Sequence, residues 1–289
     1  MMRRKLEELN LIDDYLMSCV AGDPFVGEAC IRKILSVLLG REIAHVRVTA
    51  QRVFPGTDTD LRGIRMDVEV EEFTETDGAE NVASVYDIEP HNIRTTNLPH
   101  HNRFYQAKID SRRLPSGERD FSKLPDLYVI MITSFDPFGK NRMVYTFRNR
   151  CLEDPEVEYQ DGLTFVYFYT GGTNGGSQAI KNMLNYIQKS VVADAATKEI
   201  DGYVDSVKSD PTVKEGLMTL GEHFDWERQE RQREDILVLL EDLGTVPEVI
   251  IERLEETTDS SELSRLHKAA ARAGSMDEFE AAMGLHAVV

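Results

Sequence analysis

Two short segments that alternate apolar and polar residues, too close together for anything but a hairpin, constrain this chain most. In Ile64-Arg65-Met66-Asp67-Val68-Glu69-Val70 every second residue is apolar, and Val85-Tyr86-Asp87-Ile88-Glu89-Pro90-His91 again has a period of two. That period marks strands with one face towards a core. The polar stretch FTETDGAEN lies between them and contains Asp77-Gly78, a frequent hairpin turn. The interval has no room for a crossover helix, so the pairing is antiparallel. Centring the hairpin on Gly78 sets Asp67 opposite Glu89. Facing residues project to the same side of a sheet with β-carbons ~5 Å apart, and alternation puts His91 on the face of Glu89. Two carboxylates so placed repel unless a cation or a proton separates them. A hard divalent cation takes one or two carboxylates together with waters and phosphate oxygens, which suits the pair. Polar residues on the solvent face of a hairpin are the other reading of the same pattern.

The rest of the chain supplies the setting. Apolar spacing at Leu6, Leu9, Ile12 and Leu16 predicts a helix over 7–20, ended by Gly22-Asp23-Pro24. A second helix runs from Glu28 to Leu39 and stops at Gly40. His45 to Phe54 reads as a strand. Pro99 opens a helix to about Leu114, with His101, Tyr105, Lys108 and Arg112 along one stripe. The apolar run Leu127 to Thr133 reads as a buried central strand, and Met143–Phe147 and Leu163–Tyr169 as further strands. TGGTNGGS opens a helix from Ser177 to about Val192, and charge-rich helices continue to about Glu234. Four short helical patterns end the chain: EDILVLLEDLG, PEVIIERLEE, ELSRLHKAAARAG and MDEFEAAMGL. The expected organisation is an α/β domain over 1–222 and an acidic C-terminal helical region over 223–289.

Charge narrows the class. A net charge of −18 argues against a chain that coats nucleic acid non-specifically. Residues 225–289 hold 7 Lys+Arg against 16 Asp+Glu. By contrast, residues 91–150 hold 11 basic residues against five acids. Such a run is usually a solvated surface, yet directly after a carboxylate pair it also suits a polyanionic substrate. Three cysteines, Cys19, Cys30 and Cys151, lack metal-ligand spacing and read as reduced thiols of a cytoplasmic protein. MMRRKLEELNLIDDYL passes from basic residues to acids, unlike a signal peptide. No apolar run approaches the ~20 residues that cross a bilayer, so no membrane partner is expected. The sequence permits a homo-oligomer.

The order IRMDVEVEE, YDIEPH, HNRFYQAKID, DLYVIMITSFDPFG resembles the PD-(D/E)XK nuclease family transposases, a group related to the recombination-promoting nucleases. In that pattern an Asp on one strand precedes a Glu-x-Lys or Glu-x-Gln signature on the next. A helix with an Arg and a Tyr follows, then an apolar strand ending in Asp-x-Phe. Asp67, Glu89, Arg103 with Tyr105, and Asp136 with Phe138 occupy these places here. LIDDYLMSCVAGD and ELSRLHKAAARAGSMDEFEAAM resemble the family's opening segment and helical end, so the likeness spans nearly the whole chain.

The resemblance implies a restriction-endonuclease-like core, a mixed central sheet flanked by helices, and a metal-dependent DNA endonuclease with Mg2+ (or Mn2+) as cofactor and DNA as partner. Asp67, Glu89 and the Pro90 backbone carbonyl would hold the ion, with Glu28 as an outer carboxylate. Arg103, Tyr105 and Lys108 would meet the phosphates. His91 departs from the pattern, standing where Lys or Gln is usual. A neutral imidazole there can accept a proton from water and an imidazolium can donate to phosphate; a polar strand-end residue without chemical duty is an equal reading. A degenerate relative that binds DNA or protein without cutting is the alternative. Glu28 also reads as an N-terminal helix acid favoured by the helix dipole, and Tyr105 as a packing residue. His100 and His101 are adjacent, and neighbours in sequence seldom face one site. TGGTNGGS lacks the ending of a P-loop and reads as a turn with Ser177 capping the next helix.

Overall fold

Strand β1 (His45–Phe54) pairs antiparallel with β2 (Ile64–Thr76), and β2 pairs antiparallel with β3 (Ala79–His91). This is a computed structural model that describes residues 4–54, 64–76, 79–114 and 116–285. The predicted turn at Asp77-Gly78 lies outside those residues. At the turn end Thr76 faces Ala79 and Phe73 faces Val82, but Glu72 faces Ser84. Ala83 is thus an extra residue on β3, a β-bulge. Beyond it the register runs Glu71–Val85, Val70–Tyr86, Glu69–Asp87 and Val68–Ile88. The ladder ends there, and the next amide, that of Asp67, donates to the Glu89 side chain instead. The bulge decides the register, because continuing that of the turn end would bring Ile88 opposite Asp67, and a one-residue slip turns every side chain to the other face.

β4 (Asp126–Thr133) runs parallel to β3, with β5 (Val144–Phe147) and β6 (Leu163–Tyr169) beyond it. β6 is parallel to β4, and β5 closes the far edge antiparallel to β6. The six-stranded mixed sheet has the order β1-β2-β3-β4-β6-β5. Residues 129–133 are all buried, as the apolar run of a central strand requires.

Helices flank the sheet. α1 (Asp14–Gly22) and α2 (Gly27–Leu39) precede it, α3 (Leu98–Asp110) joins β3 to β4, and α4 (Gln178–Lys189) and α5 (Ala195–Lys208) follow β6. α3 places Leu98 and Ile109 in one core with Val85, Leu127, Val129, Met131 and Tyr167. Odd-numbered residues of β3 and β4 therefore look towards α3. Even-numbered Val68, Val70, Ile88, Ile130 and Ile132 are buried on the opposite side. α1 packs against β1, β2 and β3, while α2 packs on α1, α4 and α5. The predicted helix over 7–20 is interrupted: a 3-10 turn at Leu6–Glu8 precedes α1, which starts only at Asp14. Asp13 accepts the Asn10 amide at 2.9 Å, and the Ile12 amide donates to the Ile187 carbonyl of α4 at 2.9 Å. Those bonds take the backbone away from a helical ladder while the apolar side chains stay buried. Ser177 caps α4 as expected, its hydroxyl accepting from the Ile180 amide at 3.2 Å.

The chain divides into two units, residues 1–214 and 215–289. The division falls inside α6 (Pro211–Glu241), ahead of the 222/223 boundary read from the sequence; a continuous helix shows no compositional break there. In the second unit α7 (Glu248–Glu256), α8 (Ser260–Ala270) and α9 (Met276–Met283) join the end of α6 around Ile236, Leu240, Ile250, Leu254, Leu263, Leu266 and Phe279. Arg233, nearly buried, donates to the carbonyls of Leu254 (2.9 Å) and Thr257 (2.7 Å), satisfying the C-terminal end of α7. None of the described helices is long and apolar enough to cross a membrane.

Candidate functional site

Across the β2–β3 ladder Glu69 faces Asp87, and Glu89 and His91 follow along β3 on the face towards α3. Met66, beside Asp67, belongs to the core on that same face, so strict alternation along β2 stops short of Asp67. The Asp67 amide, one step past the last ladder pair, donates to Glu89 Oε1 at 3.2 Å. Asp67 is half-buried, Glu89 is 4% exposed and Asp87 0%. No described group donates a hydrogen bond to either ionised oxygen of Asp87. Burial pushes the Asp87 carboxyl well above its ordinary range, and the neighbouring Asp67 and Glu69 charges push the same way. Glu89 is raised by burial, then by Asp87 and Asp67. A proton on Glu89 can be shared with Asp87, so without a cation this pair keeps a proton that surface carboxylates have lost.

Arginines meet the Glu69–Glu71 end of the array. Arg113, which follows α3, pairs through Nη2 with Glu69 at 2.9 Å and through Nη1 with Glu71. Arg47 of β1 stands 3.7 Å from Glu71. Neither Asp87 nor Glu89 has an ion pair with a described residue.

His91 lies at the other end. Burial lowers its pKa and favours the neutral ring, whose Nε2 is buried without a partner. The ring of His101 meets it edge-on at 5.7 Å between centroids and meets Tyr105 at 4.0 Å. His91, His101 and Tyr105 thus form an aromatic ladder from β3 to α3, so His101, though adjacent to His100, does face this end of the site. Tyr105 also packs on the core beneath α3. Arg103 is exposed, two residues or about 200° round the helix from His101. The Lys108 ammonium lies 5.6 Å from the Phe104 ring. Pro90 is buried in β3 beside Ile132, its ring on the face opposite to Glu89 and His91. Glu28 is exposed in the first turn of α2, and the structure does not bring it to Asp67 or Glu89.

Among the described residues, no three carboxylate, imidazole or thiolate groups are arranged to hold a metal ion. A cation here would be bound by one or two carboxylates and completed by water, the coordination Mg2+ favours.

Sequence reasoning passed over Asp87, Glu69 and Arg113 as site residues. Alternation already put Asp87 on the face of Glu89, and the hairpin register put Glu69 opposite Asp87. Arg113 carried no local signal, since its Glu71 partner is 42 residues away. Asp136 is a loop staple: it accepts from the amides of Asn141, Gly139 and Phe138 and from the Tyr145 hydroxyl. Burial opposes ionisation there, but these donors outweigh it and hold the carboxyl below its ordinary range. In TGGTNGGS a β-carbon at Gly172 would stand 2.6 Å from the Met143 amide nitrogen, so the glycine permits close contact with the start of β5. The chain matches no family model, no curated protein and no solved structure in comparisons with each.

Proposed function

We propose that this chain is a divalent-cation-dependent endonuclease acting on DNA, with a restriction-endonuclease-like core of the PD-(D/E)XK transposase type. The observation that carries the reading is the cluster of carboxylates in which the Asp67 amide donates to the buried Glu89 beside the wholly buried Asp87. Asp67 and Glu89 bind Mg2+ or Mn2+, and Asp87 positions Glu89 from the same strand. The bound ion supplies a lowered pKa for water and screens charge that builds on the phosphate. Burial favours the neutral form of His91, whose buried Nε2 has no partner among the described residues, and a neutral imidazole can orient water or accept its proton. Lys108 and the exposed Arg103 neutralise phosphates of the DNA.

Cleavage of supercoiled plasmid in Mg2+ or Mn2+ tests the reading. Asp67→Ala and Glu89→Ala should each lower the rate at least about 100-fold, the scale of losing charge stabilisation at a reacting phosphate. Equal rates for the wild type and both variants would refute the assignment. A second reading, a non-cutting relative that binds DNA or protein, draws on His91 standing where the family pattern has Lys or Gln. Calorimetry separates the two: a cation site lost in the carboxylate variants, without plasmid cleavage, favours the binding protein.

A further inference from the structure

We propose that a second copy of this chain adds the acidic segment 156–160 of its β5–β6 loop as an extra strand on the free edge of β5, and receives the same segment in return. Among the described strands β5 ends the sheet, with β6 on its inner side. The Met143 carbonyl accepts the Tyr169 amide at 3.0 Å, so the antiparallel ladder starts on a hydrogen-bonded pair. Tyr145 and Phe147 then turn their amides and carbonyls towards β6, and Val144 and Thr146 turn theirs outward. A groove of about 450 Å3 runs along that edge from Arg142 and Gly175 to Phe147. A β-carbon at Gly175 would stand 2.7 Å from Arg142 Nη2, so the glycine lets the guanidinium lie at the groove's end. β5 itself has no proline, charged residue or register shift, the features that usually blunt an edge.

Charge selects the occupant. From Pro137 to Leu152 the chain has four basic residues, Lys140, Arg142, Arg148 and Arg150, and no acid, although its net charge is −18. All four are exposed, and none has an ion pair with a described residue. Two β5 edges therefore do not suit each other. With Val144 opposite the second copy's Thr146, Arg142 would face its Arg148, and like charges directly opposite destabilise a ladder. The β5–β6 loop has the complementary character. Residues 152–161 are all exposed and hold five acids and no basic residue. The Val157 amide closes a turn on the Asp154 carbonyl at 3.2 Å, and residues 158–162 then belong to no helix or strand. Val157 and Tyr159, 51% and 63% exposed, alternate there with Glu156, Glu158 and Gln160. As a strand the segment projects its acids to one face and its apolar pair to the other. β5 has the same division: Arg148 donates to Thr164 at 3.1 Å, on the face of Thr146, while Phe147 is 44% exposed on the opposite face. One register thus brings acids to arginines and Val157 and Tyr159 to the Phe147 ring. Edge and loop belong to one chain, so a two-fold axis makes both contacts at once and the assembly closes as a dimer.

The test is sedimentation velocity of the full-length protein over a dilution series, with the fold of each variant checked by circular dichroism. Wild type should pass from monomer to dimer as concentration rises. Arg142→Glu/Arg148→Glu reverses the edge and Glu156→Lys/Glu158→Lys reverses the loop, and each alone should sediment as a monomer. Their equimolar mixture should regain the dimer, because both contacts then join opposite charges. Thr146→Pro removes an outward amide without a ladder bond and should weaken the dimer about tenfold, the scale of one lost hydrogen bond. A wild type that stays monomeric at its highest soluble concentration overturns the proposal, as does a dimer that persists in either charge variant. A mixture that remains monomeric rules out the reciprocal contact, and a Thr146→Pro dimer as tight as wild type rules out strand addition. None of these residues belongs to the Asp67–Glu89 cluster, so the outcome does not depend on cation binding or DNA cleavage.

Discussion

Asp87→Asn should stabilise residues 1–214 at pH 8 in the absence of divalent ions, although it alters a wholly buried residue. Asp87 is 0% exposed and receives no donor when ionised. An ion in that position costs several kcal/mol relative to water. The alternative is to keep a proton, and burial, with the Asp67 and Glu69 charges, raises the Asp87 pKa in that direction. Between the unfolded value near 4 and the higher folded value, the folded state then binds more protons than the unfolded state. Stability contributed by this group is complete at acid pH and falls as pH rises through that window, by about 1.4 kcal/mol per pH unit for each proton retained. Glu89 shifts in the same direction. A proton retained by the pair therefore makes the protein less stable as pH rises through that window, against the ~5–15 kcal/mol typical of domains. Asn keeps the shape, carries no charge and can donate to Glu89. The assay is urea denaturation in EDTA from pH 5 to 8.5, followed by the near-ultraviolet circular dichroism of the tyrosines. The single tryptophan, Trp226, lies in the second unit and reports on that unit instead. Asp87→Asn should flatten the loss of stability with pH and raise the urea midpoint at pH 8; Mn2+ should flatten it in the wild type. An unchanged pH slope in the variant would refute the reasoning.

Two further outcomes follow from the packing. Deleting Ala83 removes the bulge and should prevent residues 1–214 from folding, seen as loss of the tyrosine dichroism; a folded deletion variant with wild-type Mn2+ affinity would show that the bulge does not set the face. Arg233→Ala removes the donors to Leu254 and Thr257 and should cost the second unit about 2–4 kcal/mol. Trp226 fluorescence should then change at lower urea while the tyrosine signal stays put, and a coincident shift of both signals would contradict an effect local to the second unit.

The strands were legible because each carries its own periodicity: alternation in β2 and β3, an unbroken apolar run in β4. Ser177 was legible as a cap because a hydroxyl before a helix has a local partner, the Ile180 amide. Features set by distant partners were not. The break at Leu9–Asp13 depends on a carbonyl of α4, so the helical spacing of Leu9, Ile12 and Leu16 predicted a ladder that the backbone does not make. Arg113 looked like one of many basic residues after His91, and only the approach of its turn to β2 turns it into the counter-ion of Glu69 and Glu71. Arg103 and Lys108 share α3 with His101 and Tyr105, but only the latter two face the strand ladder of His91.

The pairing of Val68 with Ile88 shows how a register read from the sequence can be reached by a different path from the one the chain takes. Centring the hairpin on Gly78 treats the two arms as equal in length. In the structure Thr76 already faces Ala79, which by itself would run Asp67 against Ile88 and turn Glu89 into the opposite core. Ala83 supplies the missing residue on β3 and restores the equality before the acidic residues begin. Because side chains alternate with a period of two, that one insertion moves Asp87, Glu89 and His91 together from the face of Val68 and Val70 to the face of Glu69. The buried acidic array is therefore a property of the bulge as much as of the acids themselves. Keeping Ala83 in β3 should be as necessary for cation binding as keeping Asp67 or Glu89.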